Sequence, residues 1–524
     1  MIDLQAFPDD IFNRIIERLV IIIGIQKAVG LRTVNRLFNA AILEAICVSQ
    51  VVDIYDPATP YLVSYIASTL RSKIFVVKSR FANATSKSHL FVIANVNRTL
   101  DTVIGETQEE LVKYRHESVA EMVSFMHSVS SWGDEPVDAK LEAQNLLSGA
   151  IIIGNLPVVK LLLASKESSP ALAEINGATP YFGRPLTLAA ARGHLEIVHY
   201  LLDCGARPDM FSGHDRPGED SQDNELLQRV TRYRDPPASA LCAAILGGYE
   251  DIAHLLLLPQ YRISSTKFEY LRAILAGVRV GRLHLIQTLF KTIGKSPSDF
   301  PGLGNEMIRE AIRYDRKEVV QMLLGNGVDI NAFPDRDIRK YRGTLHIAAS
   351  LGNSSMVRFL IERGADVNFN NSGSLSIEAA ARCGQEEIVE MLLEQGADPV
   401  AALRSAAEGG QPRVIKLLLD KFADLPNRDE GNAGREALWK ALAARNLMAI
   451  TILVKGGVSL NEGYEYPSLL PINLAKQGSG PWVVNHLISL GAQETDTIAF
   501  TDKYPVNIGG VLVSERTWEW VGKY

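Results

Sequence analysis

The chain has 524 residues, 47% hydrophobic and 22% charged, which is ordinary globular composition and excludes a disordered tail or a fibre. At ~100–200 residues per domain this length fits three or four domains or one long repeat array. The formal net charge of −6 argues against a dedicated nucleic-acid binder, which carries a basic face.

Residues 1–50 form the first segment. Phe7-Pro8-Asp9-Asp10-Ile11 precedes an apolar stripe at Ile11, Ile15 and Leu19. A proline followed by two acids suits a helix start. A second stripe at Ala28, Leu31, Val34 and Phe38 contains Val34-Asn35-Arg36-Leu37-Phe38. The opening resembles Leu-Pro-x-Glu-Ile, and the later stretch Val-Cys-Arg-x-Phe, of the F-box family. Phe7 and Asp10 are conservative exchanges, Asn35 stands where Cys is usual, and Ile21-Ile22-Ile23 is apolar where a polar connection is common. The resemblance implies contacts to a Skp-type adaptor from Pro8, Ile11, Ile15, Leu19, Val34 and Phe38. Several of these must instead serve the segment's own core. The alternative is a helical cap for the repeats that follow.

Residues 51–135 read as a helical spacer, with helices over Tyr61–Arg71 and Glu109–Val129. Asn83-Ala-Thr85 and Asn97-Arg-Thr99 match glycosylation acceptors, but no signal peptide accompanies them. Gly133 and Pro136 mark the boundary before the next region.

Residues 140–495 repeat a frame. Thr344-Leu-His-Ile-Ala-Ala-Ser-Leu-Gly352 runs into Met356-Val-Arg-Phe-Leu-Ile-Glu-Arg-Gly-Ala-Asp-Val-Asn368. With Gly352 as reference, the frame recurs at Gly154, Gly193, Gly248, Gly281, Asp315, Gly384, Gly410, Arg445 and Ser479. Every copy has Leu eight residues after the reference and Leu or Ile seven before it. Four residues before it stands Ala, or Gly277 in one copy; five after it stands Val or Ile, or Ala253 in one copy. Small Ala permits close helix approach, and the apolar positions recur at helical spacing. The reference Gly permits a left-handed turn between two helices. A second Gly follows the second helix in six copies, from Gly205 to Gly491. These columns resemble the ankyrin-repeat family. Its Thr-Pro-Leu-His opening survives only as Thr344-Leu345-His346 and Pro185-Leu186-Thr187. The fold expected is all-α: a solenoid of about ten helix-turn-helix repeats, in which each unit buries its face on its neighbours. A helical F-box-like segment precedes it.

Two spacings depart from the period. Between Gly384 and Gly410 the turn nearly vanishes, with Ala397-Asp398-Pro399 running into the next helix. Between Gly193 and Gly248 lies an insertion, Arg207–Pro237, either a binding loop or a passenger. Residues 496–524 include Val506-Asn-Ile-Gly-Gly-Val-Leu-Val513, which reads as two short strands. With Trp518 and Trp520, this tail is either a β-hairpin-like cap on the last repeat or an exposed docking segment.

Catalytic signatures are lacking. Cys47, Cys204, Cys242 and Cys383 share no CxxC spacing, so zinc and redox pairs are not indicated. Gly294-Lys295-Ser296 lacks the first glycine of a phosphate loop. His194 follows the repeat glycine and reads as structural. No cofactor, metal or catalytic residue is expected, and no membrane span, since Leu19–Ile25 is far shorter than ~20 residues. The expectation is a non-enzymatic protein of the cytoplasm, the nucleus or both. A protein target would lie on the concave face. The long turn after Asn331 groups Arg336, Arg339, Lys340, Tyr341 and Arg342, with Phe369, Tyr464 and Tyr466 on neighbouring fingers. Arg and Tyr are hot-spot residues, and the basic group suits an acidic segment. The two functional expectations are a substrate-recruiting subunit of a Skp-cullin-type ubiquitin ligase and a plain ankyrin scaffold.

Overall fold

The computed structural model describes residues 9–31, 36–49, 68–80, 82, 88–105, 107–126, 138–164, 173–210, 239–264, 268–299, 301–331, 342–369, 375–427, 432–461, 470–478, 480–493, 506–508 and 511–513. The chain divides into two compact units, Met1–Gly294 and Lys295–Tyr524.

The first unit opens with helix Asp9–Leu31, broken at Gly24, where φ is 76° and ψ 162°. Helix Arg36–Leu43 follows and passes into a π-turn at Glu44–Val48. Phe12, Ile16, Val20 and Ala28 are buried together with Ala41, Ile42, Ala45 and Ile46. The Phe12 and Phe38 rings meet edge to face at 5.7 Å, closing this small core.

Helices Ser68–Ser79, Ser88–Ile104 and Glu109–Met126 form the spacer. The sequence places a helix over 61–71; residues 61–67 lie outside the described residues and helix Ser68–Ser79 overlaps its end, whereas helix Ser88–Ile104 has no counterpart in the sequence reading. Buried Arg71 donates to Ser124 Oγ at 3.1 Å and to its carbonyl at 2.6 Å, tying the first spacer helix to the third. Arg115 and His116 both bond Asp101, at 2.7 and 2.8 Å, tying the third to the second. The acceptor-like Asn97 lies buried inside helix Ser88–Ile104, out of reach of a glycosyl group. Asn83 lies outside the described residues.

Helix pairs follow. In the first unit they are Ala139–Ile152 with Leu156–Leu163, Pro185–Arg192 with Leu195–Asp203, Ala240–Gly247 with Glu250–Leu256, and Phe268–Val280 with Leu283–Ile293. In the second unit they are Pro301–Arg313 with Lys317–Gly325, Thr344–Ser350 with Ser354–Glu362, and Ser376–Arg382 with Glu386–Glu394. Three more complete it: Pro399–Glu408 with Pro412–Lys421, Asn432–Ala443 with Leu447–Lys455, and Pro471–Gly478 with Pro481–Ser489.

The sequence columns explain the packing. The Leu column, Leu162 to Leu487, is buried at every copy, as is the Leu/Ile column from Leu147 to Ile472. The Ala column is buried throughout, because the two helices of a pair approach closely there. In the copy that has Gly277 instead, an added Cβ would lie 3.0 Å from Ile286.

Each described reference residue ends the first helix in the left-handed region. Gly352 has φ 72°, and the residue after it donates to the Ala348 carbonyl at 3.2 Å while Gly352 N donates to Ala349 O at 3.1 Å. This double closure is the Schellman motif. It recurs at every described reference position. Asp315 (φ 55°) and Arg445 (φ 54°) occupy that position without being glycine, and they are the described non-glycine residues with positive φ. Ser479 lies outside the described residues.

Asp398 starts the next pair directly, accepting from the amides of Val400 and Ala401 at 2.9 and 3.2 Å ahead of Pro399. An N-cap and a proline in the first turn replace the missing turn at the shortened step. Near the end of the chain, strands Val506–Ile508 and Val511–Val513 pair antiparallel, with Val506 opposite Val513 and Ile508 opposite Val511.

Candidate protein-binding surfaces

The turns between pairs are fastened to one another by asparagines. Asn331 donates from Nδ2 to Gly364 O at 3.0 Å and accepts from Asp366 N at 3.0 Å. Asn461 does the same with Gly491 O and Gln493 N, both at 2.9 Å. In the first unit, Asn176 bonds Gly205 O at 3.3 Å and Arg207 N at 2.9 Å. Each clamp satisfies backbone groups on the next turn and fixes the spacing of successive fingers.

Between two such fingers lies a small cleft lined by Arg309, Asp329, Asn331, Arg342, Asp366 and Phe369, with Ile308, Ile330 and Leu345 at its floor. Arg342 is exposed and Phe369 half-buried. A Cβ on Gly343 would stand 3.2 Å from the Phe369 ring, so the backbone passes close beneath the phenyl group. The structure thus brings together two of the residues singled out in the sequence. Arg336, Arg339, Lys340, Tyr341, Tyr464 and Tyr466 lie outside the described residues, as does the insertion beyond Met210 up to Ala238. Arg309 and Asp366 were not anticipated; only the repeat register, which puts them on facing elements, could have found them.

The first helices of the second unit carry paired charge. Arg313 bonds Glu310 at 2.5 Å and Glu306 at 3.4 Å. Burial pushes the Glu306 carboxyl up from its ordinary value, against the pull of Arg309 and Arg313. Farther along, Glu408 is shared by Arg382 and Lys440 at 3.4 Å each, and Arg404 pairs with Glu436. The Glu408 and Glu436 pairs span three successive first helices, while in the cleft beside Phe369 an aromatic edge stands with charge of both signs.

In the N-terminal segment the buried and exposed stripes run side by side. Phe12, Ile16 and Val20 face the core. Ile11 and Ile15, one position earlier, are 43% and 41% exposed, and Ile22 is 80% exposed. Ile11, Ile15 and Ile22 share one helical face by their spacing of four and seven residues. Leu19 and Phe38 are half-buried, the latter against Phe12, so both serve the segment's core. Pro8 and Val34 lie outside the described residues.

The remaining candidate chemistry is structural. His194 Nε2 donates to Ile152 O at 3.1 Å, and burial lowers its pKa. Cys242 is buried and pushed up to about 12, which removes it as a nucleophile. Gly294 caps helix Leu283–Ile293, and the Ser296 amide is held by the Asp299 carboxylate at 2.7 Å. Among the described residues no group of His, Cys, Asp and Glu could hold a metal, and no helix is long and apolar enough to cross a membrane.

Residues 308–403 match ankyrin repeats in three copies, and residues 184–212 match a further ankyrin repeat. The chain therefore contains ankyrin repeats, a module for protein–protein interaction. It is 27% identical over 210 residues to the ankyrin repeat and KH domain-containing protein mask-1 of Caenorhabditis elegans, covering 40% of this chain and 7% of that protein. It is 31% identical over 142 residues to glycerophosphocholine phosphodiesterase gde1 of Schizosaccharomyces pombe, covering 27% of this chain and 12% of that protein. A 54-residue stretch is 48% identical to protein fem-1 homolog A-like of Mus musculus, covering 10% of this chain and 8% of that protein. The chain thus spans a small part of each relative. The crystal structure of the human ASB11 ankyrin repeat domain aligns at 22% identity and a TM-score of 0.30, over 36% of this chain and 84% of that one.

Proposed function

We propose that the protein recruits a target polypeptide to a Skp-cullin-type ubiquitin ligase. The F-box-like segment docks a Skp-type adaptor, and the ankyrin repeats hold the target. The observation that carries this reading is the exposed stripe of Ile11, Ile15 and Ile22 on a helix whose own core is already closed by Phe12, Ile16 and Val20. A surface row of isoleucines is costly unless a partner covers it. Leu19 and Phe38 support the helix rather than the contact. On this reading the protein works where such an adaptor is found, in the cytoplasm or the nucleus.

For the target we assign the cleft beside Arg342 and Phe369 with the adjoining turn that carries Arg336, Arg339, Lys340 and Tyr341, and the later finger with Tyr464 and Tyr466. This composition suits an acidic segment with an apolar anchor. The reading assigns no catalytic role to the chain. The test is affinity capture with the full chain. Wild-type protein should co-purify a Skp-type adaptor, and the Ile11→Asp/Ile15→Asp variant, changed only at exposed positions, should not, with the repeats folded in both. Target capture that persists without any adaptor in the wild type would leave a plain scaffold.

A further inference from the structure

We propose that the partner covering the first helix presents two carboxylates beside an apolar strip, and that Arg14 and Arg18 are the residues that select them. This rests on the reading that a Skp-type adaptor covers this face, and it adds which edge of the face carries the charge.

The placement follows from helix geometry. At about 100° per residue, Ile22 and Ile15 stand about 20° and 40° to one side of Ile11, and Arg18 and Arg14 about 20° and 60° to the other. Past Ile15 the surface closes, first at half-buried Leu19 and then at buried Phe12 and Ile16. The isoleucine row is thus bounded on one edge by the segment's own core and on the other by two arginines. Along the axis Arg18 falls between Ile15 and Ile22, which are 41% and 80% exposed. Any partner that covers the row from Ile11 to Ile22 therefore covers Arg18 as well.

The two guanidinium groups are uncommitted. Both side chains are exposed, and neither takes part in a hydrogen bond or an ion pair among the described residues. Asp10 and Glu17 lie four residues before Arg14 and three after it, at helical spacing for a pair, yet neither holds it. By contrast Arg192, Arg313, Arg382 and Arg404 each stand within 3.4 Å of a glutamate oxygen.

A wholly apolar groove laid on this face would strand a desolvated cation, which is costly unless it is paired. Carboxylates meet the need, because guanidinium groups bind them through two parallel hydrogen bonds. Arg14 and Arg18 are about 6 Å apart along the axis, the distance between acids one turn apart on a partner helix. The whole chain has a net charge of −6, which opposes an acidic partner at long range, so the attraction must be local.

Titration of the adaptor into the full chain tests this. Arg14→Gln/Arg18→Gln keeps good helix formers and should weaken binding about fivefold at about 0.1 M salt. Raising salt to about 1 M, where charges are screened over about 3 Å, should weaken the wild type by a similar factor and the variant by less than about twofold. Lys73→Gln/Lys113→Gln removes the same charge from exposed positions on two spacer helices and should leave binding unchanged. Arg18→Lys supplies an amine, and carbodiimide coupling should then join position 18 to an aspartate or glutamate of the adaptor. Adaptor binding that ignores both Arg14→Gln/Arg18→Gln and salt overturns this inference and leaves the docking reading standing. Equal weakening by Lys73→Gln/Lys113→Gln, or coupling that reaches no adaptor carboxylate, overturns it in the same way. A wild type that binds no adaptor overturns the docking reading, and this inference with it. Capture of the chain by phosphatidylserine-containing vesicles, lost in Arg14→Gln/Arg18→Gln, would make the occupant a lipid surface and also overturn it.

Discussion

Asn353 donates from Nδ2 to Asp315 Oδ1 at 2.8 Å, linking the turn of one helix pair to the turn of the pair before it. The same asparagine caps its own helix, accepting from Met356 N at 2.9 Å. Elsewhere the residue after the reference lies over the preceding turn. His194 lies over Gly154, Gln385 over Gly352, and Gln411 over Gly384, each within 3 Å of where a Cβ would stand. The reference position thus needs a left-handed backbone and room for a neighbour's side chain. Glycine meets both needs; Asp315 meets them by bonding the side chain that covers it.

The variants at this column should diverge accordingly. Gly352→Ala should cost about 1–2 kcal/mol, the expense of a Cβ in the left-handed region. Asp315→Ala should cost about 1 kcal/mol through the lost hydrogen bond. Arg445→Gly should be neutral or stabilise by up to about 1 kcal/mol, as strain is relieved against a more flexible unfolded chain. Chemical denaturation of the full chain reads all three.

Leu360 is fully buried between stacked pairs. Leu360→Asp puts an unpaired carboxylate there, at a cost of several kcal/mol. Cooperative unfolding of the second unit should be lost, with local exchange rising first in Thr344–Glu394. An unchanged melting profile would reject stacking at this position.

His194 gives a pH signature. Its folded pKa lies below the ordinary 6.5 because burial disfavours the cation. The stability it contributes is present above 6.5 and is lost as pH falls through 6.5 toward the folded value. Gln411, at the equivalent place, donates to Arg382 O at 3.1 Å. His194→Gln should therefore match wild type above neutrality and flatten the acid-side decline. His194→Ala should lose about 1 kcal/mol at neutral pH.

At the target cleft, Arg339→Glu with Tyr341→Ala should weaken target binding at an unchanged melting temperature. Added salt should weaken wild-type binding, since exposed charges are screened over ~8–10 Å. Binding that ignores both would move the site, most directly to the insertion at 207–237.

The repeat was legible because four columns agree across the copies, with Gly277 and Ala253 as the exceptions, and the same agreement located the left-handed turns at Asp315 and Arg445, where no glycine marks them. The N-terminal helix was harder. Both Ile11/Ile15 and Phe12/Ile16/Val20 are apolar at helical spacing, so periodicity does not tell which stripe is buried; the ring of Phe38 decides it. Helix Ser88–Ile104 was hidden by His89, Asn97, Arg98 and Thr99, whose polarity reads as loop until tertiary contacts bury His89 and Asn97. The finger cleft needed the structure, because Arg309 and Asp366 come to line one cleft only through stacking.

The most direct measurement is a titration of a Skp-type adaptor into the full chain and into an Ile11→Asp/Ile15→Asp variant. Both changes fall on exposed positions beside a closed core, so both proteins should melt alike. The account predicts low-micromolar or tighter binding to the wild type and at least about tenfold weaker binding to the variant, a difference of ~1.4 kcal/mol. A wild-type chain that binds no adaptor in that range, or a variant that binds as well, would contradict it.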